Sequence, residues 1–472
     1  MGKKKALKWI SDNESRIIRI SDSIWEFAEL GLQEFKSSAL LAEELKKGGF
    51  KVEMGVAGMP TAFVATYGSG KPAIGIMGEY DALAGVSQKA VPHKEPLVES
   101  APGHGCGHNI HGTSGMAAAI ATKVAMEEAG LKGTVKFFGT PAEETAGGKV
   151  YMVRDGVFDG MDAVLSHHPG SMNTGGYSGN NAVNDVKFHF YGIAAHAAGS
   201  PEQGRSAIDA VELMNVGVNY LREHIIQEAR IHYVVSSGGE QPNVVPAYAS
   251  SWYYVRAPER DQVEQIYNRV LEIAKGAAMM TGTTLKVEFV GGLYNKILNR
   301  TLNDLIVNNM REIGPPEYTE EEKRFAKDIS RTITPEAKRD WLIKSKRPDW
   351  EKLVDIDIDR TVPDNWERWG AGSTDVSDVS WKVPAMELTT ATFVLGSPGH
   401  SWQNAAQAGM GIGHKSLIFA AKTMTASALD LMTKPNLLKK VKDEFAQRLG
   451  RRVYKSPLPP EMKPALDMWK KK

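Results

Sequence analysis

His104-Gly105-Cys106-Gly107-His108-Asn109-Ile110-His111-Gly112 concentrates three histidines and the only cysteine of the chain in one short run. Thiolate and neutral imidazole are good ligands for zinc and related divalent ions, and the interleaved glycines permit backbone conformations that a Cβ forbids. A metal site is the leading reading. A Cys-His nucleophile pair needs the same residue types and is its rival. Taken alone, Cys106 is more often a small buried apolar residue than a ligand, so the surrounding sequence has to decide.

Working outward, residues 113–129 are small and helical, which sets the run where a loop enters a helix. Upstream, 50–56, 62–67 and 73–77 are short β-type runs, the last ending in Gly78-Glu79-Tyr80-Asp81-Ala82-Leu83. Downstream, 135–139 reads as a buried strand ending in Thr140-Pro141-Ala142-Glu143-Glu144, and 163–165 as another ending in Ser166-His167-His168-Pro169. Three strand ends thus bring acids or histidines to one edge of a sheet, the edge at which open α/β folds bind ligands.

The flanks complete an α/β architecture. Residues 6–31 and 37–47 read as helices, and 84–103 as an irregular, proline-containing approach. Over 184–293 the pattern is βαββαβ, with strands at 186–191, 231–237, 249–256 and 285–290 and helices at 205–224 and 261–280, the size of a ferredoxin-like module. A helix at 300–313 leads to a charged segment, 314–369, read as a solvated excursion; a strand at 388–395, then Gly396-Ser397-Pro398-Gly399-His400-Ser401-Trp402 and a helix at 404–432 close the pattern. The expectation is a discontinuous first domain, 1–183 and 294–472, with a central mixed sheet flanked by helices, and a second domain, 184–293, inserted into it. Two domains also suit 472 residues, more than one core accommodates.

Composition narrows the function. Fifty-seven basic against 56 acidic residues leave a net charge of +1, which gives no electrostatic warrant for nucleic acid or acidic lipid as partner. No run approaches the roughly 18 apolar residues of a membrane span. One cysteine makes no intramolecular disulfide and the opening Met1-Gly2-Lys3-Lys4-Lys5 is unlike a secretory signal, so a cytoplasmic protein is expected. Ala6 stands where a myristoylation signal wants Ser or Thr. The lysines at 3–5 and 470–472 read as solvated tails.

Collecting the groups at the strand ends gives Asp81, Cys106, His108, Glu143, Glu144, His168 and His400. A thiolate shared by two divalent ions, with a histidine and one other ligand on each, suits a hydrolytic pair held ~3.5–4 Å apart. Adjacent side chains diverge, so one of Glu143 and Glu144 can bind metal while the other faces substrate and takes the proton of the attacking water. A thiol enzyme has no need of these further acids and histidines.

The motifs Gly78-Glu79-Tyr80-Asp81-Ala82-Leu83-Ala84-Gly85, Gly103-His104-Gly105-Cys106-Gly107-His108-Asn109, Pro141-Ala142-Glu143-Glu144, His168-Pro169 and Gly372-Ser373-Thr374-Asp375 resemble, in order and over nearly the whole chain, those of the aminoacylase/carboxypeptidase family of metallo-amidohydrolases, most closely its p-aminobenzoyl-glutamate hydrolase and dipeptidase branch. The resemblance implies a zinc-peptidase-like catalytic domain with an inserted lid and dimerisation domain, and two divalent ions, zinc or manganese, on Cys106, His108, Glu144, His168 and His400. It further implies Glu143 as general base and Asp81 as the acid that orients a ligand. His196, in Ala194-Ala195-His196-Ala197, matches a lid histidine that reaches the partner subunit's site in a homodimer and stabilises the oxyanion. Asn243 and Arg256 match positions that hold the substrate's carboxylate. His104, His111 and His167 receive no metal, and Asn109 departs from the Asp of many relatives, which leaves the orientation of His108 open. The implied activity is cleavage of the amide of an N-acyl amino acid, p-aminobenzoyl-glutamate as the specific case, with a homologous second subunit as a further possibility. The alternatives are a dipeptidase on short basic or β-amino peptides, a thiol hydrolase, and a noncatalytic binding protein on the same scaffold.

Overall fold

A computed structural model describes residues 2–470 except 146, 365, 367 and 371; Lys471 and Lys472 lie outside the described residues. Six strands form a mixed sheet in the order Lys51–Met54, Phe63–Ser69, Gly133–Gly139, Ala73–Gly78, Ala163–Gly170, Ala385–Ala391. Its first two pairings are antiparallel and the other three parallel. Ala73–Gly78 is buried at every position, as an apolar run becomes when both faces of a sheet are covered. From this strand the chain passes through the helix His108–Ala129 to Gly133–Gly139 on one flank, then through Gly148–Arg154 to Ala163–Gly170 on the other. That reversal opens a crevice at the carboxyl ends of the strands.

The helix His108–Ala129 is small or apolar on nearly every face and is buried against the sheet and the helix Gly411–Thr433. It begins five residues before the predicted start, so His108 and His111 lie on its first turn. Gly107, at φ +79°, makes the turn into it, where a Cβ would lie 3.0 Å from Pro169. Gly112 lets it approach the sheet: a Cβ there would lie 2.5 Å from the Glu79 carbonyl oxygen.

A second, four-stranded antiparallel sheet has the order Thr284–Leu293, Ala182–Tyr191, Tyr248–Ala257, Arg230–Ser237. The helices Ala207–Leu221 and Arg260–Thr281 pack on it over Val186, Phe188, Phe190, Val211 and Val263, in the βαββαβ order.

Several elements differ from the sequence reading. The helix expected over 6–31 is two, Gly2–Asp12 and Glu14–Phe27, broken at Asn13, whose side-chain amide donates to the Trp9 carbonyl 2.9 Å away. Lys3 is therefore no tail residue: its ammonium reaches Asn309 Oδ1 at 2.7 Å. The last strand ends at Ala391, because the amides of Thr392 and Phe393 turn onto the Gly170 carbonyl, and the closing helix is divided into Trp402–Ala408 and Gly411–Thr433.

The segment 314–369 departs most from its reading. It contains the helices Glu320–Ser330 and Pro335–Lys344 and buries Phe325, Ile329, Leu342 and Leu353 in satellite cores. Its charges are partly satisfied internally: the fully buried Arg347 donates to Asp349 at 2.6 Å and to Asp359. Charged composition concealed an apolar stripe at helical spacing. Beyond the helix Pro435–Leu449 the chain runs back over the first unit, and Trp469 Nε1 donates to the Gly31 carbonyl at 2.8 Å.

Candidate metal centre

The parallel strands end side by side, and each end places its group by a local device. After Gly133–Gly139, Ala142 takes a left-handed conformation (φ 59°) that reverses the chain before Glu143 and Glu144. Buried Glu34 holds this turn, accepting from the Ala142 amide at 2.8 Å and from the Thr61 hydroxyl at 2.9 Å. Asp81, just beyond Ala73–Gly78, accepts the Glu144 amide on Oδ2 at 2.9 Å, while its Oδ1 lies 2.9 Å from His108 Nδ1. One carboxylate thereby fixes a glutamate backbone and a histidine ring together.

Two groups of ligand atoms result, each with all its atoms within 4.8 Å of one another: Cys106, His108 and His168, and Cys106, Glu144 and His400. The single thiolate belongs to both. Cys106 Sγ lies 3.4 Å from His168 Nε2, whose other ring nitrogen contacts the Pro169 carbonyl at 2.8 Å. His400 Nε2 lies 3.4 Å from Glu144 Oε1. All five predicted metal ligands are brought together, with Asp81 behind His108 and Glu143 beside them in a group with Glu79 and His108.

The electrostatics describe a buried cluster whose thiol, imidazoles and carboxylates strongly perturb one another. Burial pushes the Cys106 thiol up, but His168 and His108 overcome it and hold the thiol well below its ordinary value. Burial also opposes charge on His168, yet Cys106 brings it up to about 10. Burial, Cys106 and Asp81 push Glu144 up to about 8; burial, Glu79, Asp375 and Glu144 hold Glu143 well above the carboxylate range. His108 Nε2 and Glu144 Oε1 are buried without a hydrogen-bond partner among the described residues. His108 Nε2 does lie 3.1 Å from Glu79 Oε2, but not in hydrogen-bonding line. Orphaned donor atoms, a depressed thiol and a mixed sulfur, nitrogen and oxygen set fit divalent cations.

The remaining histidines are occupied elsewhere. His104 Nε2 contacts the Ile24 carbonyl at 3.0 Å, and burial with the neighbouring His108 lowers its pKa to about 4. His111 Nδ1 accepts the Glu79 amide at 2.8 Å, and His167 lies between Ser114 and Thr390. Asn109 donates away from the centre, to Ser21 Oγ and the Ala408 carbonyl, so Asp81, not residue 109, orients His108.

Other predicted residues stand apart. Arg256 lines a cavity of about 200 Å³ together with Glu143 and Glu144, its guanidinium 3.5 Å from Ser373 Oγ. His196 and Asn243 are near each other, through the Ala197 amide on the Asn243 carbonyl at 3.0 Å, but neither lines the cavities beside the cluster. Both are exposed.

Sequence reasoning gave no role to a buried ionic triad beneath the centre. Lys149 Nζ lies 2.6 Å from Glu79 Oε1 and 2.6 Å from Asp375 Oδ1, with all three side chains fully buried. Burial raises Asp375 to about 6 despite the lysine. Glu79 and Asp375 stood inside quoted motifs, but Lys149 lies in the first turn of a short helix, Gly148–Arg154, that also carries Arg154, and it gave no signal beyond that position.

Residues 75–407 match the model of peptidase family M20/M25/M40. The chain is 42% identical to one of the named subunits of the p-aminobenzoyl-glutamate hydrolase of Escherichia coli, over 97% of each chain. It is 28% identical to a mouse Xaa-Arg dipeptidase, over 95% of this chain and 93% of that one. A dinuclear metal-binding peptidase of Bacillus subtilis has the same fold, with a TM-score of 0.53 at 18% identity, over 88% of this chain and 98% of that one.

Proposed function

This chain belongs to peptidase family M20/M25/M40 and is a metallo-amidohydrolase, and from that premise we propose that it cleaves the amide of an N-acyl amino acid, p-aminobenzoyl-glutamate as the specific case. The observation that carries the reading is the pair of ligand groups joined at Cys106 with Glu143 beside them. In this reading Cys106, His108, Glu144, His168 and His400 hold two divalent cations, zinc or manganese. Such cations, when bound, lower the pKa of water and polarise a carbonyl.

The residues of the chain supply the rest. Asp81 accepts the Nδ1 proton of His108, which fixes the tautomer and leaves Nε2 free to ligate. Glu143 takes a proton from the attacking water and returns it to the departing nitrogen, so the amide carbon gains the hydroxyl and the amine leaves neutral. His196 stabilises the oxyanion from the partner copy of a homodimer, and Asn243 with Arg256 holds the substrate carboxylate. The module 184–293 is the lid and dimer contact, inserted between 1–183 and 294–472. Because the Escherichia coli relative is named as a subunit, a homologous second subunit is the natural further partner. No described helix is long and apolar enough to cross a membrane; the lone cysteine supports a cytoplasmic setting.

The test is release of p-aminobenzoate from p-aminobenzoyl-glutamate by chelator-stripped protein, with and without manganese or zinc, beside Glu143→Gln. Metal-restored turnover, reduced about 10²- to 10⁴-fold in the variant at unchanged metal content, is expected. A metal-loaded protein inactive on this substrate would overturn the substrate assignment.

A further inference from the structure

A second cavity, of about 350 Å³, shares Glu143, Glu144 and Ser373 with the first, and its wall includes Cys106, His168, His400 and Arg368. That volume is at the small end of ligand pockets. Arg368 is not placed there loosely. With Trp369 it forms a short strand parallel to Ser178–Gly179, the Gly370 amide donates to the Gly179 carbonyl at 2.8 Å, and Trp369 Nε1 donates to Asn181 Oδ1 at 2.9 Å.

What matters at Arg368 is what it lacks. Among the described residues no carboxylate pairs with it and no acceptor takes its protons; its near neighbour is the ring of Trp366, 5.9 Å away. Burial lowers its pKa with no opposing charge to restore it. Of the other cations facing these cavities, Lys296 is paired, its Nζ 3.2 Å from Glu387 Oε2. Arg256, like Arg368, has no carboxylate in ion-pair range among the described residues: its Nε is buried without a partner and its guanidinium reaches only Ser373 Oγ at 3.5 Å. A guanidinium fork matches a carboxylate with two parallel hydrogen bonds, and a partly buried fork without a partner is one prepared for a ligand that brings the charge.

We propose that Arg368 receives a second carboxylate of the substrate, the one on the side chain of the released amino acid, and so selects N-acyl amino acids with acidic side chains over neutral or basic ones. The proposal rests on the amidohydrolase reading above, in which Arg256 already holds one carboxylate. It places one guanidinium group in each of two cavities that share Ser373, one for each anionic group of a dicarboxylic leaving amino acid. An Xaa-Arg peptide would put its cation against Arg368.

The experiment compares p-aminobenzoyl-glutamate with p-aminobenzoyl-glutamine, a neutral near-isostere, in wild type, Arg368→Gln and Arg368→Lys. Charge-assisted pairs predict a wild-type kcat/KM about ten- to a hundredfold higher for the glutamate substrate, expressed mainly in KM. In Arg368→Gln that preference disappears while turnover of the glutamine substrate stays within about twofold, and Arg368→Lys is intermediate. A buried cation without a carboxylate partner pays for its desolvation against only the distant Trp366 ring, so the unfolding midpoint of Arg368→Gln is expected to be unchanged or raised. Equal losses on both substrates, a lowered midpoint, or no wild-type preference would overturn the proposal. Calorimetric binding of the same two molecules to metal-loaded Glu143→Gln protein gives the same comparison without turnover. Selective binding that depends on Arg368, in an enzyme inactive on the glutamate substrate, would uphold the site and reject the reaction assigned to it.

Discussion

Replacing Lys149 by Met tests whether the buried triad supports the centre. The substitution keeps most of the side-chain volume but removes the cation lying 2.6 Å from both Glu79 and Asp375. Breaking a buried pair from one side costs about 3–5 kcal/mol, because the charge left behind has neither water nor partner. Here two carboxylates are left behind, so the upper half of that range is expected when both are ionised. The sign of the pH dependence follows from Asp375, which burial already raises to about 6 from an ordinary 3.8. Without Lys149 it rises further, so the folded variant holds a proton that the unfolded chain has released. Stability of the variant therefore falls as pH rises from about 4 through the folded pKa, by at most about 1.4 kcal/mol per pH unit per proton. The loss relative to wild type is largest near pH 8 and smallest near pH 5. Hydrogen exchange of Ala73–Gly78 and Gly148–Arg154 reads this locally, with exchange about a thousand- to five-thousandfold faster than wild type at pH 8. Exchange within about fivefold of wild type, or an equal acceleration at both pH values, would refute the assignment of Lys149 as the counter-charge.

Three further outcomes follow from the same geometry. Asp81→Asn weakens metal binding or activity about 10- to 100-fold, as loss of a ligand-orienting carboxylate does; competition with a chromogenic chelator measures it, and unchanged affinity would remove Asp81 from that role. His168 at about 10 and Glu144 at about 8 carry protons at neutral pH that a cation must displace, so metal affinity rises from pH 6 to pH 8 with proton release, read by calorimetry in buffers of different ionisation enthalpy. Cys106→Ser removes the atom common to both ligand groups and is expected to lower bound metal to one equivalent or fewer by elemental analysis; two tightly retained equivalents would contradict a shared thiolate.

Much of the centre was legible because its groups sit where β-type runs stop. Strand ends at Gly78, Gly139 and around His168 are marked by a change from apolar to acidic or histidine residues, and the topology then sets those ends side by side. The ionic triad was hidden for the opposite reason. Lys149 and Arg154 are the two cations of a short helix, and nothing local distinguishes the lysine that is fully buried from a cation that reaches solvent. Residues 314–369 were misread because composition was weighed above spacing: Phe325 and Ile329 recur at i and i+4 within a run of Glu, Lys and Asp. His196 and Asn243 were assigned by motif alone, and nothing in the local sequence shows that neither would line the cavities beside the ligand groups.

The sharing of Cys106 also orders the assembly of the centre in time. Cys106 and His168 are 62 positions apart, whereas about 250 residues, including the whole four-stranded sheet, separate Glu144 from His400. Chain entropy alone distinguishes the two closures by only about 1.3 kcal/mol. The larger difference is topological, because the longer closure requires Ala385–Ala391 to dock in parallel beside Ala163–Gly170, a pairing of distant sequence. In a folding chain the first ligand group closes over nearby sequence, and the second, built on the same sulfur, waits for the rest of the molecule.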